Sequence, residues 1–223
     1  MLVINMKNYL EGSRDEAVRI SKTSNHASKK YGVTIAIAPP IGMLSEMIRY
    51  HDTIFAQHLD NVDVGSTTGY VVPEIARGIG VIGSLINHSE HRIPASDIKA
   101  LVRRLKKLDM ISVVCVKDNM ETRKYLKLNP DYIAIEPPEL IGSGRAVSRE
   151  RPEVIAEAAH VIQEAGNGTK LLCGAGIVSS DDVTEAIKLG SDGIMVASGI
   201  IKARNRSKKI VEFTEAISKI KRG

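Results

Sequence analysis

The sequence predicts an α/β fold: a closed (β/α)8 barrel, built as a single domain over residues 1–223. Three observations predict it. Eight short apolar runs alternate with stretches of helical periodicity. Most of the runs are continuously apolar, as befits strands buried on both faces of a parallel sheet. Three of them end in charged or polar residues, and the carboxyl ends of the strands form the face where such barrels place their chemistry.

The first strand, 2–6, carries Leu2-Val3-Ile4 and runs into Asn5-Met6-Lys7. A helical stretch from Asp15 to Tyr31 sets Ala17, Ile20 and Ala27 near one face. The second strand, 33–38, and the third, 53–57, are followed by short helices near 41–50 and 72–78. The fourth, 81–87, leads into Asn87-His88-Ser89-Glu90. The stretch Pro94 to Lys107 opens on proline and repeats Ile98, Leu101, Val102 and Leu105 at helical spacing. The fifth strand, 111–116, precedes a short helix at 118–127, and the sixth, 131–136, ends in Glu136. Pro152 to Ala165 is helical and stops at Gly166. The seventh strand, 169–174, precedes a helix at 181–189, with Ser179 or Ser180 as cap and Gly190 at its end. The eighth, 192–197, precedes an amphipathic helix at 206–221 that aligns Ile210, Phe213, Ile217 and Ile220. An open doubly wound sheet is the alternative. Eight units are many for one, and no Gly-x-Gly-x-x-Gly follows the first strand.

Hydrophobic residues make up 43% of the chain, but aromatics only 4%, and Trp is absent. Branched aliphatic side chains must therefore fill the core, which suits a barrel. The net charge is +5. The basic residues near the end of the chain are interleaved with Glu212, Glu215 and an apolar stripe, which favours a solvated helix face over a nucleic-acid patch. A mild positive field also draws anionic substrates. Cys115 and Cys173 lie within apolar runs and read as buried free thiols in a reducing compartment. The histidines form no ligand cluster at helical spacing, so no metal is expected. No secretory leader is evident, and no apolar run reaches the ~18 residues of a membrane span. The expectation is a cytoplasmic protein with neither membrane nor nucleic-acid partners.

Three strand ends carry candidate chemistry. Lys7 closes the first apolar strand, and Asn5, two residues earlier, shares its face by the period-two rule. His88 is read as preceding a short helix, whose N-terminus would lower the imidazole pKa and keep it neutral. Glu90 has the reach to pair with Lys7. Glu136 closes an apolar strand, where desolvation raises a carboxylate towards the range of a useful base. The loop Pro137-Pro138-Glu139-Leu140-Ile141-Gly142-Ser143-Gly144 reads as a lid stiffened by prolines, with Leu140 and Ile141 as an exposed apolar tip and glycines that permit φ > 0. Cys173-Gly174-Ala175-Gly176 and Ala197-Ser198-Gly199 supply small residues after strands seven and eight, where barrels commonly hold phosphate.

These motifs together resemble the triosephosphate isomerase family over nearly the whole chain, most closely its short archaeal form. The likeness rests on Asn5-x-Lys7, Asn87-His88-Ser89-Glu90-x-Arg92, Glu136-Pro137 with Ile141-Gly142-Ser143-Gly144, and the two glycine-bearing turns. The resemblance implies the (β/α)8 TIM barrel, interconversion of glyceraldehyde 3-phosphate and dihydroxyacetone phosphate, and no cofactor. It implies Glu136 as base, His88 as neutral electrophile, Lys7 as charge balance, and Asn5 as a contact to substrate oxygens. Met6 would join the substrate contacts, and Ile141, Gly142, Gly176, Ala197 and Ser198 would contact phosphate, with Glu90 supporting the site from behind. It also implies a homo-oligomer, dimer or tetramer, in which the loop Gly65-Ser66-Thr67-Thr68-Gly69-Tyr70 reaches into a neighbouring subunit. The chain departs from the longer bacterial and eukaryotic pattern at the Pro-Pro-Glu lid start and in both glycine turns, so the phosphate contacts follow least directly. Two other readings compete: an enzyme acting on a larger phosphorylated substrate, and a non-catalytic barrel scaffold. Neither requires Lys7, His88 and Glu136 on strands one, four and six.

Overall fold

The computed structural model describes residues 1–222. Eight strands form one parallel sheet: β1 (Leu2–Asn5), β2 (Ile35–Ala38), β3 (Phe55–Ala56), β4 (Gly83–Ile86), β5 (Ile111–Val116), β6 (Tyr132–Ile135), β7 (Lys170–Cys173) and β8 (Gly193–Val196). β1 pairs with both β2 and β8, so the chain's first and last strands are neighbours. The remaining join, between β2 and β3, is a single bridge from Ile37 to Ile54, with the Ile37 N–H donating to the Thr53 carbonyl at 3.0 Å. The barrel closes, but thinly at that seam.

Helices cover the outside: α1 (Arg14–Tyr31), α2 (Leu44–Met47), α3 (Pro73–Gly78), α4 (Ala95–Lys107), α5 (Asn119–Leu126), α6 (Val147–Glu150), α7 (Pro152–Ala165), α8 (Ser180–Lys188), α9 (Ser198–Ile201) and α10 (Arg206–Arg222). α1 ends at Gly32 and α7 at Gly166, both left-handed. Ser179 and Asp182 cap α8 reciprocally, each side chain accepting from the other's backbone N–H. The sequence placed most elements within a residue or two. β3 is shorter than expected because its neighbour β2 offers it only one bridge. α6 and α9 are single turns, too short for periodicity to reveal.

The strands sort their side chains by parity. Val3, Ala36, Ala38, Phe55, Leu85, Val113, Cys115, Ala134, Leu172 and Met195 pack together inside the barrel. Their neighbours, among them Leu2, Ile4, Ile35, Ile37, Ile133 and Ile194, pack outwards among helix residues. The Phe55 ring fits because Gly83 is its partner on β4, where a Cβ would lie 2.7 Å from the ring. Extending the inward parity by two residues brings Asn5 from Val3 and Glu136 from Ala134 to the barrel mouth.

Candidate active site

One cavity opens at the carboxyl ends of the strands. Its lining includes Asn5, Lys7, His88, Glu136, Ile141 and Ser198. The structure therefore brings together the three charged or ionisable residues that the sequence singled out on strands one, four and six.

Lys7 does not arrive as a strand residue. β1 ends at Asn5, and Lys7 adopts a left-handed turn at φ 46°, with its N–H donating to Asn5 Oδ1 at 3.0 Å. Its ammonium donates to Glu90 Oε1 at 2.7 Å, the pairing expected across the mouth. A backbone outlier at this position is strain held in place by its surroundings, a pattern typical of functional sites.

His88 is set by its neighbours. Asn87, itself at φ 63°, accepts from the Ile93 N–H at 3.2 Å and donates to the Cys115 carbonyl at 3.1 Å. That braces the turn on both sides. The Glu90 N–H donates to His88 Nδ1 at 3.2 Å. Nδ1 must therefore be unprotonated, and the neutral ring carries its proton on Nε2, which lies 3.4 Å from Glu136 Oε2. The expected helix after His88 is absent: residues 88–91 form a turn, and α4 begins only at Ala95. The segment after His88 therefore does not supply the helix N-terminus that was expected to lower its pKa. Burial still opposes protonation of His88, but the Glu136 carboxylate outweighs it and raises the pKa above the ordinary value.

Glu136 is buried, and its Oε2 has no hydrogen-bond partner. A carboxylate oxygen in such a place is an acceptor waiting for a proton or a substrate group. Gly174 makes the room: a Cβ there would lie 2.5 Å from Glu136 Cγ. Cys115 and Cys173 are buried and free, as expected. Burial, reinforced by the nearby Glu136 charge, pushes the Cys115 thiol well up, and burial takes Cys173 to about 12. Both stay neutral, so neither is a ready nucleophile.

The lid differs from its sequence reading in one respect. Leu140 is only 2% exposed, and Ile141 packs partly against the core, so the apolar residues anchor the loop instead of forming an exposed tip. The glycines behave as expected, with Gly142 at φ 69° and Gly144 at φ 73°. Beyond them the Val147 N–H donates to the Ala175 carbonyl at 3.1 Å, tying the lid to the turn after β7. Gly176 is needed there, because a Cβ would collide with the Arg145 carbonyl. Ile141, Gly142, Gly176, Ala197 and Ser198 all face the cavity. Met6 does not. Its side chain is fully buried in the outer core, because parity turns it away from the mouth, and this corrects its place among the substrate contacts. Gly174 and Asn87, which carry so much of the geometry, could have been suspected from a glycine and an asparagine at strand ends, but nothing in the sequence says what they must clear or brace.

A parallel barrel with a buried carboxylate, an imidazole and an ion-paired ammonium around one cavity defines a barrel enzyme equipped for proton transfer. Comparison with known proteins agrees. The family model described as triosephosphate isomerase matches residues 1–217. The chain is 54% identical over 218 residues to the triosephosphate isomerase of Cenarchaeum symbiosum (strain A), covering 98% of each chain. It is 41% identical over 214 residues to that of Saccharolobus solfataricus (strain ATCC 35092 / DSM 1617 / JCM 11322 / P2), covering 96% of this chain and 94% of the relative. With that of Methanothermus fervidus (strain ATCC 43054 / DSM 2088 / JCM 10308 / V24 S) the identity is 39% over 216 residues, 96% of each. The chain belongs to the triosephosphate isomerase family.

Proposed function

We propose that the protein interconverts D-glyceraldehyde 3-phosphate and dihydroxyacetone phosphate, through an enediolate, in glycolysis and gluconeogenesis. The observation that carries this reading is the meeting of Glu136 and His88 Nε2, 3.4 Å apart, on a cavity that Lys7 also lines.

The steps follow from these groups. Glu136 takes the proton from the carbon beside the carbonyl. The C–H electron pair becomes the carbon–carbon π bond, and the carbonyl π pair moves onto oxygen. His88 donates a hydrogen bond from Nε2–H to that oxygen, and Lys7 balances the charge that develops on it. Asn5 steadies the substrate oxygens. His88 then moves a proton between the two oxygens, and Glu136 returns its proton to the neighbouring carbon. The oxidation states change only within the substrate, so no external electron acceptor is consumed.

The phosphate rests against Ile141, Gly142, Gly176, Ala197 and Ser198. Backbone N–H groups in these small-residue turns suit an anion, and the lid excludes water from an intermediate that would otherwise lose its phosphate. Glu90 supports the site by fixing Lys7 and the His88 tautomer together.

The protein works in the cytoplasm as a homo-oligomer, dimer or tetramer. Two features support this: no helix among the described residues is long and apolar enough to cross a membrane, and the loop 65–70 is exposed along its length. Light scattering at several concentrations measures the oligomer. The activity is tested by incubating the purified protein with glyceraldehyde 3-phosphate and reading dihydroxyacetone phosphate through an auxiliary dehydrogenase. Absence of turnover in the folded protein would overturn the assignment.

A further inference from the structure

The largely exposed loop 61–70 is closed at its base by Asp60. The Asp60 N–H donates to the Val71 carbonyl at 2.9 Å, and Asp60 Oδ2 accepts from the Val71 N–H at 2.7 Å. The other carboxylate oxygen, Oδ1, accepts from His58 Nε2 at 3.2 Å. Beside His58, Gln57 Nε2 donates to the Lys7 carbonyl at 2.9 Å, so the segment leaves β3 anchored to the β1 turn. His58 has a second partner. Its ring stacks on that of His91, with centroids 3.9 Å apart and planes 22° from parallel. The His91 N–H donates to the His88 carbonyl at 2.8 Å and closes the turn 88–91. The stack therefore joins the base of the loop to the turn that carries His88 and Glu90.

Two neutral imidazoles stack without penalty, whereas two imidazolium rings repel. Little around the pair would relieve that repulsion. Asp60 answers one charge, on His58, and its second oxygen is taken by Val71. Across the cavity that both rings line, the β1 turn presents another cation, Lys7, and Glu90 is committed to it at 2.7 Å. His88 lines the same cavity and adds positive charge when protonated. Arg92 is paired with Glu121, and Asp97 on α4 accepts from Asn61. On the remaining side His58 meets apolar neighbours, Ile41 and Leu44. Burial lowers the His58 pKa; the Asp60 hydrogen bond opposes this, and His91 adds to the lowering. His58 is thus neutral at pH 7 and charges only in acid.

We propose that the stacked His58–His91 pair is an acid-sensitive catch: neutral, it fastens the base of the 61–70 loop to the catalytic turn, and a proton on each ring parts them and frees the loop. Repulsion between two unit charges about 4 Å apart in water shifts the closing equilibrium by about fivefold, and by more where the rings exclude solvent. Acid then loosens the contact that this loop makes with a neighbouring subunit, a consequence that rests on the homo-oligomer reading above.

The test is amide hydrogen exchange at pH 7 and pH 5 in the wild type and in His91→Phe, which keeps a flat ring over His58 but takes no proton. The probes are the Asp60 and Val71 amides, both bonded at the loop base, with the β5 amides as the measure of global opening. Protection, taken relative to the intrinsic rate at each pH, should fall at least ~5-fold at the two wild-type probes between pH 7 and pH 5, and by more than in β5. In His91→Phe the two probes should follow β5. An acid loss at the probes of the same size in His91→Phe overturns the proposal. So does a wild-type loss at the probes no larger than that in β5. Should the phenylalanine variant fail to fold, His91→Gln carries the same comparison under the same criteria. Light scattering of the same samples separates the two claims: a monomer at pH 7 overturns the homo-oligomer reading, while exchange alone decides the catch.

Discussion

The Glu90 backbone N–H donates to His88 Nδ1, and Glu136 Oε2 lies 3.4 Å from the opposite nitrogen of the same ring. The two contacts make opposing demands. The first requires a neutral ring with its proton on Nε2, whereas the second favours a charged one. A proton gained at low pH must land on Nδ1, where it would face another donor.

The first prediction is a titration. Burial lowers the His88 pKa, and the Glu136 charge more than reverses this, so the net direction is upward. In Glu136→Gln the charge is gone and burial remains, so the pKa should fall below the ordinary value. NMR of the His88 ring in both proteins reads the change directly. An unchanged titration would mean that Glu136 is not the cause. The sign for stability follows: with a raised folded pKa, His88 stabilises the fold below its unfolded pKa, and that contribution is lost as pH rises through the folded value.

Glu136→Ala and His88→Ala should each lower turnover by at least ~10²-fold, the low end for acid–base groups. Steady-state rates of the two variants beside the wild type decide this. A fully active Glu136→Ala protein would remove the base from the mechanism.

Gly174→Ala places a Cβ against the Glu136 side chain, 2.5 Å from Cγ. The carboxylate must move, since the added atom is fixed to backbone. We expect kcat/KM to fall by about 10²-fold and stability by about 1–3 kcal/mol, as for other overpacked sites. Gly42→Ala is the control, because nothing lies within 4 Å of a Cβ there. Kinetics and urea titration of both variants test the contrast, and equal activities would show that Glu136 tolerates the shift.

His51 is a second histidine with the opposite behaviour. It is buried, and its Nε2 lies 2.6 Å from the Ile35 carbonyl while Nδ1 has no partner. Burial lowers its pKa despite the Ile35 carbonyl and Asp52. The unfolded chain therefore binds the proton first, and the stability that neutral His51 confers is present above its unfolded pKa and lost as pH falls below it. One proton can cost no more than about 1.4 kcal/mol per pH unit. Urea melts at pH 7 and pH 5 should show a steeper acid loss in the wild type than in His51→Phe. Parallel losses would exclude His51 as the acid-sensitive group.

The sequence revealed where the barrel's strands lie to within a residue or two, because continuous apolar runs are the direct consequence of burial on both faces. It also revealed candidate residues for the mouth, since Asn5, Lys7 and Glu136 close apolar runs whose carboxyl ends meet on one face of a parallel barrel. What it hid was set by tertiary contact. The left-handed turn at Lys7 is held by groups on other segments. The pKa of His88 is governed by Glu136 across the barrel, and local pattern instead suggested a helix that does not form. The anchoring of Leu140 depends on what lies beneath the lid, which no spacing along the loop encodes.

The thin seam between β2 and β3 has a consequence for how the molecule opens. β1 and β8, the chain's first and last strands, are joined by three residue pairs, whereas one bridge joins β2 to β3 in the interior of the sequence. Native-state hydrogen exchange should therefore be fastest among the amides flanking Ile37 and Ile54, with those of β1 and β8 among the slowest. The fluctuating unit would be the stretch that includes β3 and the loop after it, with the β1–β8 seam held shut.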